Sequence, residues 1–125
     1  GLAALQLGDY GRAAALYREG VALFWQVGEK VFAARCLEEL AWVVCMQGDY
    51  RRATRLFGVA EAQRETFGAP IPPAARAEHD RNVAAARAHL DEAAFAAAWA
   101  EGRAMAMEQA IEYVLKSVAD VTAGA

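Results

Sequence analysis

The sequence repeats one phrase after forty residues: LGDYGRAAALY occupies residues 7–17 and QGDYRRATRLF occupies residues 47–57. Both copies open with Gly-Asp-Tyr, place Ala three positions after the Tyr and carry an aromatic residue four positions later. Self-similarity at a period of about 20–50 residues is typical of stacked repeats, whose neighbouring units bury a shared core. We therefore predict a stack of helix hairpins, with each Gly-Asp-Tyr forming the turn between two helices.

The composition favours an all-α fold. The chain has 125 residues, of which 57% are hydrophobic, and roughly a quarter are Ala, the residue with the highest helix propensity. The three prolines all fall within residues 70–73, and no run of alternating β-branched residues suggests a strand. We expect a single all-α domain with enough apolar material to form a core.

Helical spacing of apolar residues defines the helices around the second turn. The helix before it should span residues 31–47 and bury Leu37, Leu40, Ala41 and Val44. The helix after it should span residues 50–67 and bury Ala53, Leu56, Phe57 and Ala60. The first unit repeats this pattern over residues 10–27 with Ala13, Leu16, Tyr17, Gly20, Leu23 and Phe24. Gly28 and Gly68, also forty residues apart, should each end the second helix of a pair.

The remainder predicts further helices over residues 73–90, from a cap at Asp91 to Gly102, and over residues 107–118. No Gly-Asp-Tyr recurs near residue 88, so the third pair is degenerate. Residues 1–68 then hold two repeats, the first truncated, residues 69–73 form a Pro-containing loop, and residues 74–125 hold the degenerate pair and a C-terminal capping helix. The prediction is one right-handed α-solenoid of about six full helices plus a truncated first helix.

These residues resemble the tetratricopeptide repeat (TPR). The family's turn, aromatic and small positions match, in the two units, Gly8, Tyr10, Ala13, Tyr17 and Gly20, and Gly48, Tyr50, Ala53, Phe57 and Ala60. The period of forty exceeds the family's usual thirty-four, and is similar to the longer variant in the C-terminal part of bacterial LuxR-type and nucleotide-binding-switch transcriptional regulators. The closing pattern FAAAWAEGR, residues 95–103, resembles the end of such regions. The resemblance implies a cytoplasmic bacterial module within a larger signalling protein.

The sequence lacks the residue patterns that several classes of function require. A net charge of −3 argues against direct nucleic-acid binding, which uses a basic surplus. Cys36 and Cys45 would lie on opposite faces of one helix, about 13 Å apart along its axis, too far for a disulfide or a shared metal. His79 and His89 are also badly spaced for one zinc ion. With a single serine and no Gly-rich phosphate loop, we expect no enzyme, no cofactor and no metal. No apolar run is long enough for a membrane span.

A partner-binding groove is the most specific hypothesis that the sequence offers. Arg35, Glu38 and Trp42 share one face of the helix over residues 31–47, away from its apolar stripe. The forty-residue period places Glu78 and Asn82 next along the same groove. A large aromatic residue flanked by Arg and Glu has the composition of a binding hot spot. Alternatively, Trp42 packs under a neighbouring helix, and Arg35 and Glu38 form an ordinary contact one turn apart.

Two functions follow from these observations. The first is a non-catalytic protein-interaction or effector-sensing module whose groove binds a protein, a peptide or other domains of the parent chain. The second is a structural spacer or oligomerisation segment without a ligand, for which a homodimer is one outcome. Because Gly1 falls inside the first expected helix and no Met precedes it, we expect the chain to be a fragment of a larger protein.

Overall fold

The computed structural model describes the backbone of residues 2–124 and the side chains of residues 9–116. Within this part the chain is entirely helical, which confirms the all-α prediction. The six helices are α1 Leu2–Gln26, α2 Lys30–Met46, α3 Tyr50–Phe67, α4 Pro73–Arg87, α5 Glu92–Ala104 and α6 Met107–Gly124. The bounds of α2 and α3 agree with the sequence prediction to within one residue.

Three glycines end the first three helices in the same way. Gly28, Gly48 and Gly68 have φ of 85°, 91° and 64°, a left-handed conformation that only glycine adopts without strain. In each case the next residue donates a backbone hydrogen bond to the carbonyl five positions earlier, as from Asp49 to Val44 over 3.2 Å. This is the bond that closes a Schellman motif. Asp49 then caps α3 by accepting from the backbone N–H of Arg52 at 3.3 Å.

The first Gly-Asp-Tyr does not form the turn that the repeat predicts. Helix α1 runs without a break through residues 8–10, so the truncated helix and the helix over residues 10–27 are one element. A glycine in a helix interior lowers helix stability by only about 1 kcal/mol relative to Ala. The Gly-Asp-Tyr sequence is therefore compatible with a turn and also with a continuous helix. Asp9 instead lies 3.8 Å from the guanidinium of Arg12, one turn along the helix surface.

The apolar stripes of α2 and α3 are buried as predicted. Leu37, Leu40, Ala41 and Val44 on α2, and Ala53, Leu56, Phe57 and Ala60 on α3, all belong to the buried core. The stripe predicted for α1 is confirmed only in part. Ala13, Tyr17 and Phe24 pack against the core, whereas Leu16 and Leu23 are 68% and 58% exposed. Ala14 and Val21, which the prediction did not include, are fully buried.

Helix α3 is covered on two sides. Its Phe57 and Arg64 face α4 and α2, while Gly58 faces α5. Helix α5 is a larger neighbour of α3 than α4 is, and α6 contacts both α1 and α3. The α3–α5 contact is close because two glycines meet there. A Cβ on Gly58 would lie 2.6 Å from the carbonyl oxygen of Trp99, and one on Gly102 would overlap the backbone of Arg55.

Salt bridges close the same contact at its edge. Arg103 on α5 donates to the carboxylates of Glu61 and Glu65 on α3, the second at 2.6 Å. Near the other end of α3, Arg55 lies 3.7 Å from the carboxylate of Glu101. Across the described helices, none has the length and apolar character needed to cross a membrane.

The glycine contact yields the first prediction. Replacing Gly102→Ala should lower the free energy of unfolding by an amount at the upper end of about 1–3 kcal/mol, because the added methyl group overlaps the backbone of Arg55. Urea denaturation followed by circular dichroism at the helical band measures this. Gly11→Ala is the matched control, since its Cβ meets nothing within 4 Å and the helix should gain up to about 1 kcal/mol. Equal effects of the two changes would contradict the close approach of α3 and α5.

Candidate functional site

A pocket of about 310 Å³ lies between the N-terminal halves of α2 and α4. Because α3 returns between them, α2 and α4 both begin at the end of the molecule where α3 finishes. The α2 wall consists of Val31, Phe32, Arg35, Glu38 and Glu39. These positions recur at three and four residues, so their side chains project from one face of the helix.

The opposite wall is formed by α4 and by the segment over residues 69–72 that precedes it. Ala75, Glu78, His79 and Asn82 line the pocket from α4, again at helical spacing. Phe57 and Arg64 contribute from α3, which lies behind the pocket. We call the space enclosed by these walls the α2–α4 groove.

Four of the five sequence-predicted residues line this groove: Arg35, Glu38, Glu78 and Asn82. Trp42 does not line it, but is half-buried and packed against the core. Its position explains the difference, because Trp42 lies seven residues beyond Arg35 and hence about 10 Å further along the α2 axis. The groove occupies only the N-terminal half of that helix.

Glu38 is held within the protein. Its carboxylate accepts two hydrogen bonds from Arg64, at 2.6 Å from Nε and 2.9 Å from Nη2. The side chains of Glu38 and Arg64 are only 13% and 9% exposed. Arg64 also donates from Nη1 to the carbonyl oxygen of Ala69 at 3.0 Å. One guanidinium therefore joins α2, α3 and the segment before α4, and Glu38 pairs across helices with Arg64 instead of with Arg35, the contact that the alternative interpretation predicted.

Three other charged side chains that line the groove are free to contact a partner. Arg35 and Glu39 on α2, and Glu78 on α4, are exposed, and none makes an ion pair with a described residue. Sequence reasoning missed Glu39, which directly follows Glu38 and also lines the groove. It also missed Phe32, which is 51% exposed although aromatic. An aromatic residue outside the predicted apolar stripe of α2 was the available signal.

Two further pockets continue the groove at either side. A space of about 400 Å³ lies beyond residues 69–71 and shares the walls of Glu38, Arg64 and His79. Another of about 420 Å³ leads toward α1, where Tyr17 and Cys36 join Phe32 and Arg35. Each of these two pockets shares lining residues with the groove.

His79 lies where the groove meets the core. Its ring packs edge-on against Phe57 with centroids 5.6 Å apart. Burial is the main cause of a lowered pKa for His79, and the nearby Glu38 acts in the opposite direction. Arg76 and Asp80, on the same helix, lower and raise this pKa respectively. The neutral imidazole is therefore favoured in the folded protein.

The described cysteines and metal-ligating side chains are the groups that bear on reactive chemistry. Cys36 and Cys45 are free thiols, and burial raises the pKa of both, which keeps them in the protonated, unreactive form. Among the described residues, no three His, Cys, Asp or Glu side chains lie close enough together to hold a metal ion. What the groove provides is an irregular surface with apolar, acidic and basic groups, which is suited to binding.

Comparisons of the chain with protein-family models, with curated proteins and with solved structures found no match.

The Glu38–Arg64 pair gives a prediction on stability. Glu38→Gln should lower the free energy of unfolding by about 3 kcal/mol, because it leaves the guanidinium of Arg64 buried without a counter-charge. Glu92→Gln is the matched control, because Glu92 pairs with Arg87 through two similar bonds on the exposed surface. That change should leave the urea midpoint within experimental scatter. Equal losses in the two variants would show that burial of the first pair is unimportant.

His79 gives a prediction on pH. Because the pKa of folded His79 lies below its ordinary value of 6.5, the unfolded chain binds the proton first as the pH falls. Folding therefore keeps the full benefit of a neutral, buried His79 above about pH 7.5. As the pH falls through 6.5 toward the lower pKa of the folded state, protonation of the unfolded chain reduces the free energy of unfolding. The urea midpoint should fall between about pH 7.5 and pH 5.5, and His79→Gln should reduce that fall. His89→Gln is the control, and an unchanged fall in both variants would contradict the assignment.

Proposed function

We propose that this chain is a non-catalytic protein-interaction module that binds a segment of a partner protein in the α2–α4 groove. One observation carries the proposal. Arg35 and Glu38, predicted from one face of α2, and Glu78 and Asn82, placed on α4 by the forty-residue shift, line a single pocket. Their side chains give the groove both acidic and basic groups, which a peptide-binding surface can use.

The proposal includes a TPR-like organisation of the helices. It is supported by the Gly-terminated hairpins at Gly28, Gly48 and Gly68, and by the small residues Ala53 and Ala60 on α3. In such a stack the first helix of each pair lines the concave groove, which corresponds here to α2 and α4. The close α3–α5 contact is a feature of this chain that a regular stack does not require.

The proposed setting is a cytoplasmic bacterial signalling or transcriptional regulator of which this chain is one module. Two free cysteines suit a reducing compartment. Binding in the groove, of a partner or of an effector, would then be transmitted to other domains of the parent protein. Direct contact with nucleic acid is not part of the proposal, because the net charge is −3.

A second function is favoured by a different surface. Leu16 and Leu23 lie on one face of α1, Val27 directly follows its last residue, and all three are 58–68% exposed. Contiguous exposed apolar side chains often mark an association surface. A spacer or oligomerisation segment would use this face of α1 and leave the groove empty.

A blocked groove tests the proposal. Asn82→Trp should fill the groove, since Asn82 is half-buried in its wall, and should remove the proteins captured from a lysate of the source organism by the unmodified chain. Glu112→Trp is the control, because Glu112 is exposed on α6 away from the groove. Circular dichroism should show both variants folded.

The same proteins captured by all three baits would exclude the groove as the binding surface. Light scattering then separates the alternative function. Concentration-dependent association that Leu23→Glu abolishes and Asn82→Trp leaves intact would establish association through α1 instead.

A further inference from the structure

We infer that the α2–α4 groove recognises a cationic segment with an apolar anchor, in which an Arg or Lys lies close to a large aliphatic or aromatic side chain. This inference rests on the proposed function and specifies its partner. It follows from which charges in the groove are already neutralised, which remain available, and where the exposed apolar side chains lie beside them.

The groove has an acidic surplus. Together with the pocket beyond residues 69–71 it is lined by three arginines and five glutamates, a net charge of −2: Arg35, Arg64 and Arg76, and Glu38, Glu39, Glu61, Glu65 and Glu78. The pocket toward α1 adds no further charged residue. A groove of one sign attracts a segment of the opposite sign and repels phosphate-bearing ligands.

Internal pairing decides which of these charges a partner can use. Glu38 and Arg64 neutralise each other, and Arg76 lies 3.2 Å from the carboxylate of Asp80. Glu61 and Glu65 share the single guanidinium of Arg103. Their pairing removes these groups from the set that is free to bind.

Two carboxylates and one guanidinium therefore remain available in the central pocket. Glu39 lies on the α2 wall and Glu78 on the α4 wall, so a cation that enters between α2 and α4 meets a carboxylate on each side. Charge-assisted hydrogen bonds to an arginine or lysine are the strongest contacts that such carboxylates can make. Arg35 is the available donor for backbone carbonyl oxygens of the bound segment.

Apolar side chains lie beside these charges. Val31 and Phe32 are 47% and 51% exposed at the α2 wall, and Ile71 between two prolines lines the opposite side. A volume of about 310 Å³ is at the lower end for small-molecule sites, which suits a few side chains of a peptide. An aliphatic or aromatic side chain would bury this rim, while its cationic neighbour meets Glu39 and Glu78.

Four fluorescein-labelled 12-residue peptides of one design test the inference by fluorescence anisotropy. They carry Leu with Arg, Leu with Gln, Leu with Glu, or Ser with Arg at the same positions. We expect the Leu/Arg peptide to bind most tightly, about tenfold more tightly than Leu/Gln, and more weakly as salt rises. Leu/Glu and Ser/Arg should bind more weakly still or not at all.

A charge-matched pair of variants assigns the preference to the groove. In the double variant Glu39→Gln, Glu78→Gln, the roughly tenfold advantage of Leu/Arg over Leu/Gln should disappear. The double variant Glu108→Gln, Glu112→Gln removes the same two charges from exposed positions on α6 and should keep that advantage. Equal losses in the two variants would reduce the effect to net charge and overturn the inference.

The outcomes separate the partner chemistry from the proposed function. Tighter binding of Leu/Glu, or binding of none of the four peptides, overturns the cationic partner, while loss of captured proteins in Asn82→Trp still supports binding in the groove. Leu/Arg binding that Asn82→Trp leaves unchanged would overturn the cationic partner, because the peptide would then bind outside the groove. The proposed function fails separately, when Asn82→Trp still captures the same proteins as the unmodified chain.

Discussion

Burial of α3 on two sides is the constraint on which the rest of the structure depends. Between Ala53 and Ala60 every side chain except that of Arg55 is buried, so this stretch has no free face. A helix in that position requires small residues wherever a neighbour approaches closely, and Gly58 supplies the closest approach. Helices α2 and α5 are positioned by opposite sides of the same element.

The two walls of the groove are held in place by different numbers of buried contacts. Its α2 wall is held by a buried apolar stripe and by the bonds from Arg64 to Glu38 and Ala69. Its α4 wall is held more lightly, because Ala86 is the only fully buried residue that the described α4 contributes. The edge-on contact of His79 with Phe57 is one of the contacts that join α4 to α3. A partner bound between the walls would add contacts where the fold itself has fewest.

The sequence was sufficient to predict the features that depend on neighbouring residues along the chain. The bounds of α2 and α3, the glycine that ends each, and the buried stripes all follow from side-chain periodicity and from the left-handed conformation that glycine allows. The same reasoning was wrong at residues 8–10 and for Leu16 and Leu23 on α1. An identical Gly-Asp-Tyr is a turn where α2 and α3 pack against each other, and part of a continuous helix in α1. Tertiary contact decides between the two, and no pattern within the phrase records it.

The candidate site divides in the same way. Helical periodicity and the forty-residue shift can both be read from the sequence. They were therefore sufficient to predict four residues that line the groove: Arg35, Glu38, Glu78 and Asn82. They could not separate Glu38, which Arg64 neutralises from 26 positions away, from Glu39, which has no such partner among the described residues. The difference between a structural carboxylate and an available one is therefore a property of the packing between α2 and α3. Because Glu38 is already paired, the proposed contacts to a partner are made by Glu39 and Glu78 instead. Two carboxylates that are unpaired within the described part of the chain favour a partner with a cationic side chain.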